Sequence, residues 1–155
     1  MIHRTIYQYG IKFRNPSLNS QLKRLSESDK FSYSELQGIQ LSRLKDLVAF
    51  AYQNSPFYHQ LMDKISLSID DIQSLKDIEK LPVIGKSDLI AHKDKIQSRA
   101  KFNKLVFSET SGTTGQPLTI YRSEEWDSAT RAAMFRGMRW YGVSPWEKKW
   151  LSVGI

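Results

Sequence analysis

The eight residues Thr110-Ser111-Gly112-Thr113-Thr114-Gly115-Gln116-Pro117 offer a hydrophobic core almost nothing. They carry hydroxyls, two glycines and a proline, and they stand between two short apolar runs, Leu105-Val106-Phe107 and Leu118-Thr119-Ile120-Tyr121. The second run is β-branched and aromatic, so both runs predict strands, and the polar octet between them has to be a loop at the surface. Strand-loop-strand over residues 104–123 is the firmest local expectation in the chain.

Such a loop can bind phosphate. Gly112 and Gly115 can take positive φ and add no side chain, so backbone N–H groups can approach an anion closely. Ser111, Thr113 and Thr114 add hydroxyl donors, and each charge-assisted hydrogen bond contributes about 1.5 to 3 kcal/mol. An ordinary surface turn, rich in the same residues for local reasons, is the competing reading. The octet is not a Walker A loop, because no glycine followed by Lys and Ser/Thr comes after Gly112. Gly85-Lys86-Ser87 copies the end of that motif, but Lys80 stands where the first glycine belongs, which leaves Lys86-Ser87 as a helix start.

The rest of the chain reads mainly as helix. Residues 1–30 show no clear period and predict an irregular arm. From Ser34, a cap, Leu41, Leu44, Leu47, Val48, Ala51 and Tyr52 recur at helical spacing, up to the residues before Pro56. Ser55-Pro56 suits the cap and first position of a second helix over Phe57 to Met62. Ser74-x-x-Asp77 and Ser87-Asp88-Leu89 open brief helices on either side of Pro82. Ser123-Glu124-Glu125 opens another, with Trp126, Ala129, Ala133, Gly137, Trp140 and Tyr141 on its apolar face and Gly142 as its stop. Trp150–Ile155 reads as a third strand. The expected fold class is therefore mixed α and β (α/β), with a mainly helical region over 1–103 and a strand-loop-strand-helix-strand unit over 104–155 that continues past an apolar chain end.

Hydrophobic residues at 40% and charged residues at 25% are ordinary globular usage, so the chain is expected to fold. With no cysteine, disulfides and thiolate metal sites are excluded, and the three histidines lack ligand spacing, so no metal site is expected. His59 reads as a partly buried helix residue. The longest apolar stretch, near Leu47 to Tyr52, is far below the roughly 20 residues of a membrane helix, so a cytoplasmic chain without a membrane span is expected. The net charge of +7 is uneven. Residues 1–24 carry five Lys/Arg and no acid, and residues 131–149 carry five Lys/Arg against one Glu. Trp126, Trp140, Trp146 and Trp150 among Arg131, Arg136 and Arg139 could stack nucleic-acid bases, but packing of Trp126 and Trp140 into a core explains their spacing better, and nucleic acid is not the expected partner.

Three stretches are similar to a known family: Leu44 to Met62 ("LKDLVAFAYQNSPFYHQLM"), Leu81 to Ile96 ("LPVIGKSDLIAHKDKI") and Phe107 to Ser123 ("FSETSGTTGQPLTIYRS"). The last resembles the Ser/Thr/Gly-rich signature of adenylate-forming enzymes. Together they resemble the phenylacetate-coenzyme A ligase branch of that superfamily, which includes capsule-biosynthesis adenylating proteins. The resemblance implies that Thr110, Ser111, Gly112, Thr113, Thr114 and Gly115 face the β- and γ-phosphates of ATP, with Mg2+, during activation of a small carboxylic acid, and that a thiol such as coenzyme A takes the acyl group.

Two departures accompany it: Gln116 and Leu118 stand where relatives often carry lysine, and the later nucleotide motifs have no counterpart. The chain therefore reads as an N-terminal portion, inactive alone and prone to self-association, with a degenerate gene remnant also open. The alternative from another class is a complete small basic helical protein that binds nucleic acid or a protein partner through its cationic ends.

Overall fold

The computed structural model of the chain describes residues 2–110 and 117–147. The helices are α1 (Ile2–Arg14), α2 (Leu18–Glu27), α3 (Tyr33–Asn54), α4 (Pro56–Lys64), α5 (Lys86–Ala91), α6 (Lys93–Ile96) and α7 (Glu124–Trp140), with strands β1 (Leu105–Glu109) and β2 (Thr119–Ser123) paired in an antiparallel sheet. The fold is mixed α and β with a helical N-terminal region. The third strand expected over Trp150–Ile155 lies outside the described residues. Among the described residues, no helix is long and apolar enough to cross a membrane.

The elements divide between two compact units. One holds the described residues up to Lys30, Asn103–Val106 and those from Arg122 on, and the other holds those of Phe31–Phe102 and Phe107–Tyr121.

In the second unit, local signals act as the sequence predicts. Ser32 rather than Ser34 starts α3: its hydroxyl accepts from Glu35 N while the Glu35 carboxylate accepts from Ser32 N, a reciprocal capping box. Along α3, Val48 is buried and Leu41, Leu44 and Tyr52 pack beside it, against Met62 of α4 and Ile72. Leu47, expected on that face, is 64% exposed, because at 100° per residue it falls outside the Leu41–Leu44–Val48–Tyr52 stripe. The helix stops at Asn54, and Ser55 caps α4 with Pro56 at its first turn.

Ser55 also donates to the carbonyls of Lys95 (3.1 Å) and Ile96 (2.9 Å), which ties the end of α6 to the α3–α4 junction. Because Ser55 is buried, Ser55→Ala removes a cap and leaves two carbonyls short of a donor. The expected cost is about 1 to 2 kcal/mol, read as faster amide exchange in α4 and α6. At the start expected at Ser74, the Asp77 carboxylate accepts from Ser74 N (2.7 Å) and Ser74 Oγ (2.9 Å), though the turn it opens, Leu75–Lys80, is a 3-10 helix.

In the first unit the sequence reading needs two corrections. Residues expected to form an irregular arm are the helices α1 and α2. Leu18 and Leu22 of α2 form a core with Ala132 and Phe135 of α7, against which Tyr7, Ile11, Leu25 and Met138 pack. Periodicity hides α1 because its apolar residues lie on two sides: Tyr7 and Ile11 face the core, while Ile2, Ile6, Tyr9 and Phe13 are exposed. The second correction concerns α7, whose buried residues are Glu124, Asp127, Ser128, Ala132 and Phe135. The expected apolar face, with Trp126 and Trp140, lies on the opposite side of the helix, where those two rings are 49% and 63% exposed.

The exposed rings are covered in part by cations. The Arg122 guanidinium lies 4.6 Å from the Trp126 ring centroid and that of Arg136 lies 5.0 Å from Trp140. Arg136 also donates to Leu25 O and to Ser28 Oγ, which ties α7 to the end of α2. The end of α7 is as predicted: Gly142 takes φ +68, Gly142 N donates to Arg139 O and Val143 N to Met138 O, a Schellman closure that needs a left-handed residue.

Candidate functional site

The register of the β1–β2 hairpin is set at both ends. Glu124 N donates to Lys104 O (3.1 Å) at the base, and Thr110 N donates to Leu118 O (3.0 Å) at the mouth of the loop. Both pairs belong to one uninterrupted register, so no bulge diverts the strands. In an ordinary rung Leu118 N would donate to the Thr110 carbonyl. Here it donates to Thr110 Oγ1 at 3.0 Å, and the hydroxyl closes the ladder in place of the carbonyl. Thr110 Oγ1 thus acts as an acceptor toward Leu118, and a hydroxyl that accepts can also donate.

Of the six residues that sequence reasoning assigns to phosphate, Thr110 alone lies among the described residues. It is exposed, with its N–H donated to Leu118 O and its hydroxyl oxygen accepting from Leu118 N. Ser111, Gly112, Thr113, Thr114 and Gly115 lie outside the described residues. Pro117 is exposed and Leu118 is partly buried where the chain re-enters β2.

In the second unit β2 is braced from outside. Gln97 Nε2 donates to Tyr121 O (3.3 Å) and Tyr121 N donates to Gln97 Oε1 (3.2 Å), so one side-chain amide satisfies both backbone groups on the outer edge of β2. Phe107 and Tyr121 stand directly opposite in the register and meet edge-on, ring centroids 5.8 Å apart. With Lys93, Arg99 and Thr119 they line an open cleft of about 520 Å3. Sequence reading missed this brace, since nothing in the spacing of Gln97 and Tyr121 signals it.

The polar cluster of the first unit holds the base of α7. Asn15 Nδ2 donates to Asp127 Oδ2 (2.9 Å), Ser17 N and Oγ donate to Glu124 (3.2 and 2.9 Å), Ser128 Oγ donates to Glu124 Oε1, and Arg131 Nε pairs with Asp127 at 2.8 Å. Burial pushes the Glu124 carboxyl up, but the hydrogen bonds from Ser128 and Ser17 and the charge of Lys104 outweigh it and hold the group below its ordinary value. Asp127 is likewise lowered: burial opposes, and hydrogen bonds from Arg131 and Asn15 with the charges of Arg131 and Arg122 prevail. Both carboxylates are therefore ionised structural acceptors for these donors.

His59, expected to be partly buried, has 48% of its side chain exposed; it stacks on Tyr52 at 4.2 Å and meets Asp63 at 3.4 Å. Gly85-Lys86-Ser87 opens α5, with Gly85 N donating to Asp88 Oδ2 at 2.9 Å, which is the helix start the sequence suggested.

No family model matches the chain. It is 30% identical over 133 residues to the phenylacetate-coenzyme A ligase of Escherichia coli (strain K12), covering 84% of this chain and 30% of that protein. To the phenylacetate-coenzyme A ligase of Aromatoleum evansii it is 35% identical over 97 residues, covering 62% and 22%. To protein CapK of Staphylococcus aureus it is 33% identical over 101 residues, covering 65% and 21%. The matches span less than a third of the length of these curated relatives.

Proposed function

The chain belongs to the phenylacetate-coenzyme A ligase family, and on that premise we propose that residues 104–123 are the ATP phosphate-binding hairpin of a carboxylate-adenylating ligase. The reading is carried by the hairpin closure: β1 and β2 run in one unbulged register up to the Thr110–Leu118 pair, with the outer edge of β2 held by Gln97, at the two ends of the hydroxyl- and glycine-rich sequence.

In this role Thr110 donates its remaining hydroxyl proton to a phosphoryl oxygen, and Ser111 to Gly115 supply backbone amides and hydroxyls around the β- and γ-phosphates. Gly112 lets the backbone approach without a side chain in the way. These groups bind and orient; none acts as nucleophile, acid or base. Neither Gln116 nor Leu118 brings positive charge, so compensation for the phosphates falls to Mg2+ when it is bound. The thiol acceptor is of the coenzyme A type, and the acid is a small carboxylate. Since the chain spans under a third of the length of its curated relatives, the part it plays in this reading is nucleotide binding.

The test is amide exchange across residues 110–117 with and without ATP and Mg2+. Magnesium-dependent protection is expected, with the apparent affinity weakened about tenfold or more in Gly112→Val while the rest of the exchange map is kept. A loop whose amides exchange at one rate with and without nucleotide in a folded chain would falsify the reading.

A further inference from the structure

Ile2, Ile6, Tyr9 and Phe13 of α1 are 71, 67, 74 and 90% exposed. Their spacing of four, three and four residues places them in one stripe along the helix. The helix is held in its unit by the other side, through Tyr7 and Ile11. The charged residues of α1 are Arg4, Lys12 and Arg14, and no Asp or Glu occurs in residues 1–24. Arg4 is engaged over the Trp146 ring at 5.0 Å. By helical geometry Lys12 and Arg14 stand on opposite flanks of the stripe, on either side of Phe13.

We propose that this stripe is a docking surface for an anionic lipid bilayer, with α1 lying in the interfacial plane, Ile2, Ile6, Tyr9 and Phe13 sunk below the headgroups and Lys12 and Arg14 level with the lipid phosphates. A short amphipathic helix with aromatic and branched apolar residues on one side and cations on its rims has the chemistry that partitions into such an interface. Anionic headgroups supply the negative charge that residues 1–24 lack. A second copy of the helix laid against the stripe brings the same cations to the same rims and is repelled. This peripheral contact requires no membrane span and is independent of the ligase reading.

Flotation of the 155-residue chain with vesicles tests it, using phosphatidylcholine alone and phosphatidylcholine mixed with phosphatidylglycerol. Binding to the mixed vesicles is expected to be about tenfold or more stronger than to neutral ones, and to weaken at high salt. The double variant Ile6→Glu with Phe13→Glu, whose native side chains lie outside the core, should lose it while keeping the far-UV spectrum of the parent. Lys12→Glu with Arg14→Glu should lose the preference for anionic lipid. Absence of vesicle binding, binding indifferent to lipid charge, or binding unchanged by the glutamate pair overturns the proposal. So does a dimer in solution that the glutamate pair dissociates, since the stripe would then be an interface between copies.

Discussion

Phe135→Ala is expected to destabilise the first unit by about 3 to 5 kcal/mol, whereas Trp140→Ala should cost less than about 1 kcal/mol. Phe135 is 3% exposed and packs with Leu18, Leu22 and Ala132, so its loss leaves a cavity that two short helices can only partly collapse around. Trp140 is the larger side chain, but it is 63% exposed, with the Arg136 guanidinium over one ring face. Urea unfolding of both variants by far-UV circular dichroism gives the comparison directly. Equal losses, or a greater one for Trp140→Ala, would mean that α7 presents its tryptophan side to the core, as its hydropathy suggests.

Glu124→Ala should cost about 2 to 4 kcal/mol in the same unit. The carboxylate is 5% exposed and accepts from Ser17 N, Ser17 Oγ and Ser128 Oγ, so alanine leaves these donors beside an apolar methyl. The lowered pKa values add a pH signature. A carboxyl whose folded pKa lies below its unfolded value contributes stability that is complete above the unfolded value and is lost as pH falls through the folded one. For Glu124 and Asp127, with ordinary values of 4.5 and 3.8, the unit should hold its stability at neutral pH and lose it progressively from about pH 5 downward. Glu124→Gln, which keeps an acceptor and removes the titration, should flatten that decline. Unfolding midpoints that rise on acidification would contradict the assignment of these carboxylates as ionised acceptors.

That cluster explains why the face of α7 could not be read in advance. Glu124, Asp127 and Ser128 score as solvent-facing on any apolar pattern, and Trp126 and Trp140 score as buried. The polar residues are buried because Asn15, Ser17 and Arg131 arrive to pair with them, two of these from more than 100 positions away in the chain. Part of the helical arm was open to reading, since Leu18, Leu22 and Leu25 recur at helical spacing along α2 and pack with α7, whereas α1 divides its apolar residues between two sides. For the candidate phosphate loop, the octet and its two strands were legible, because glycine, hydroxyl and β-branched residues act over a few positions. The Gln97 brace on Tyr121 was not, because a glutamine has no positional signature.

What this chain's sequence determined by itself is what neighbouring residues settle between them. The Ser32–Glu35 box, the Ser55-Pro56 junction, the Ser74–Asp77 turn, the Gly142 stop and the positions of β1 and β2 follow from bonds that close within six residues or from the backbone preferences of single ones. Tertiary structure alone decided which side of α1 and of α7 is covered. Burying a face depends on whether distant partners satisfy its polar atoms, and no stretch of α1 or α7 carries that information about the other.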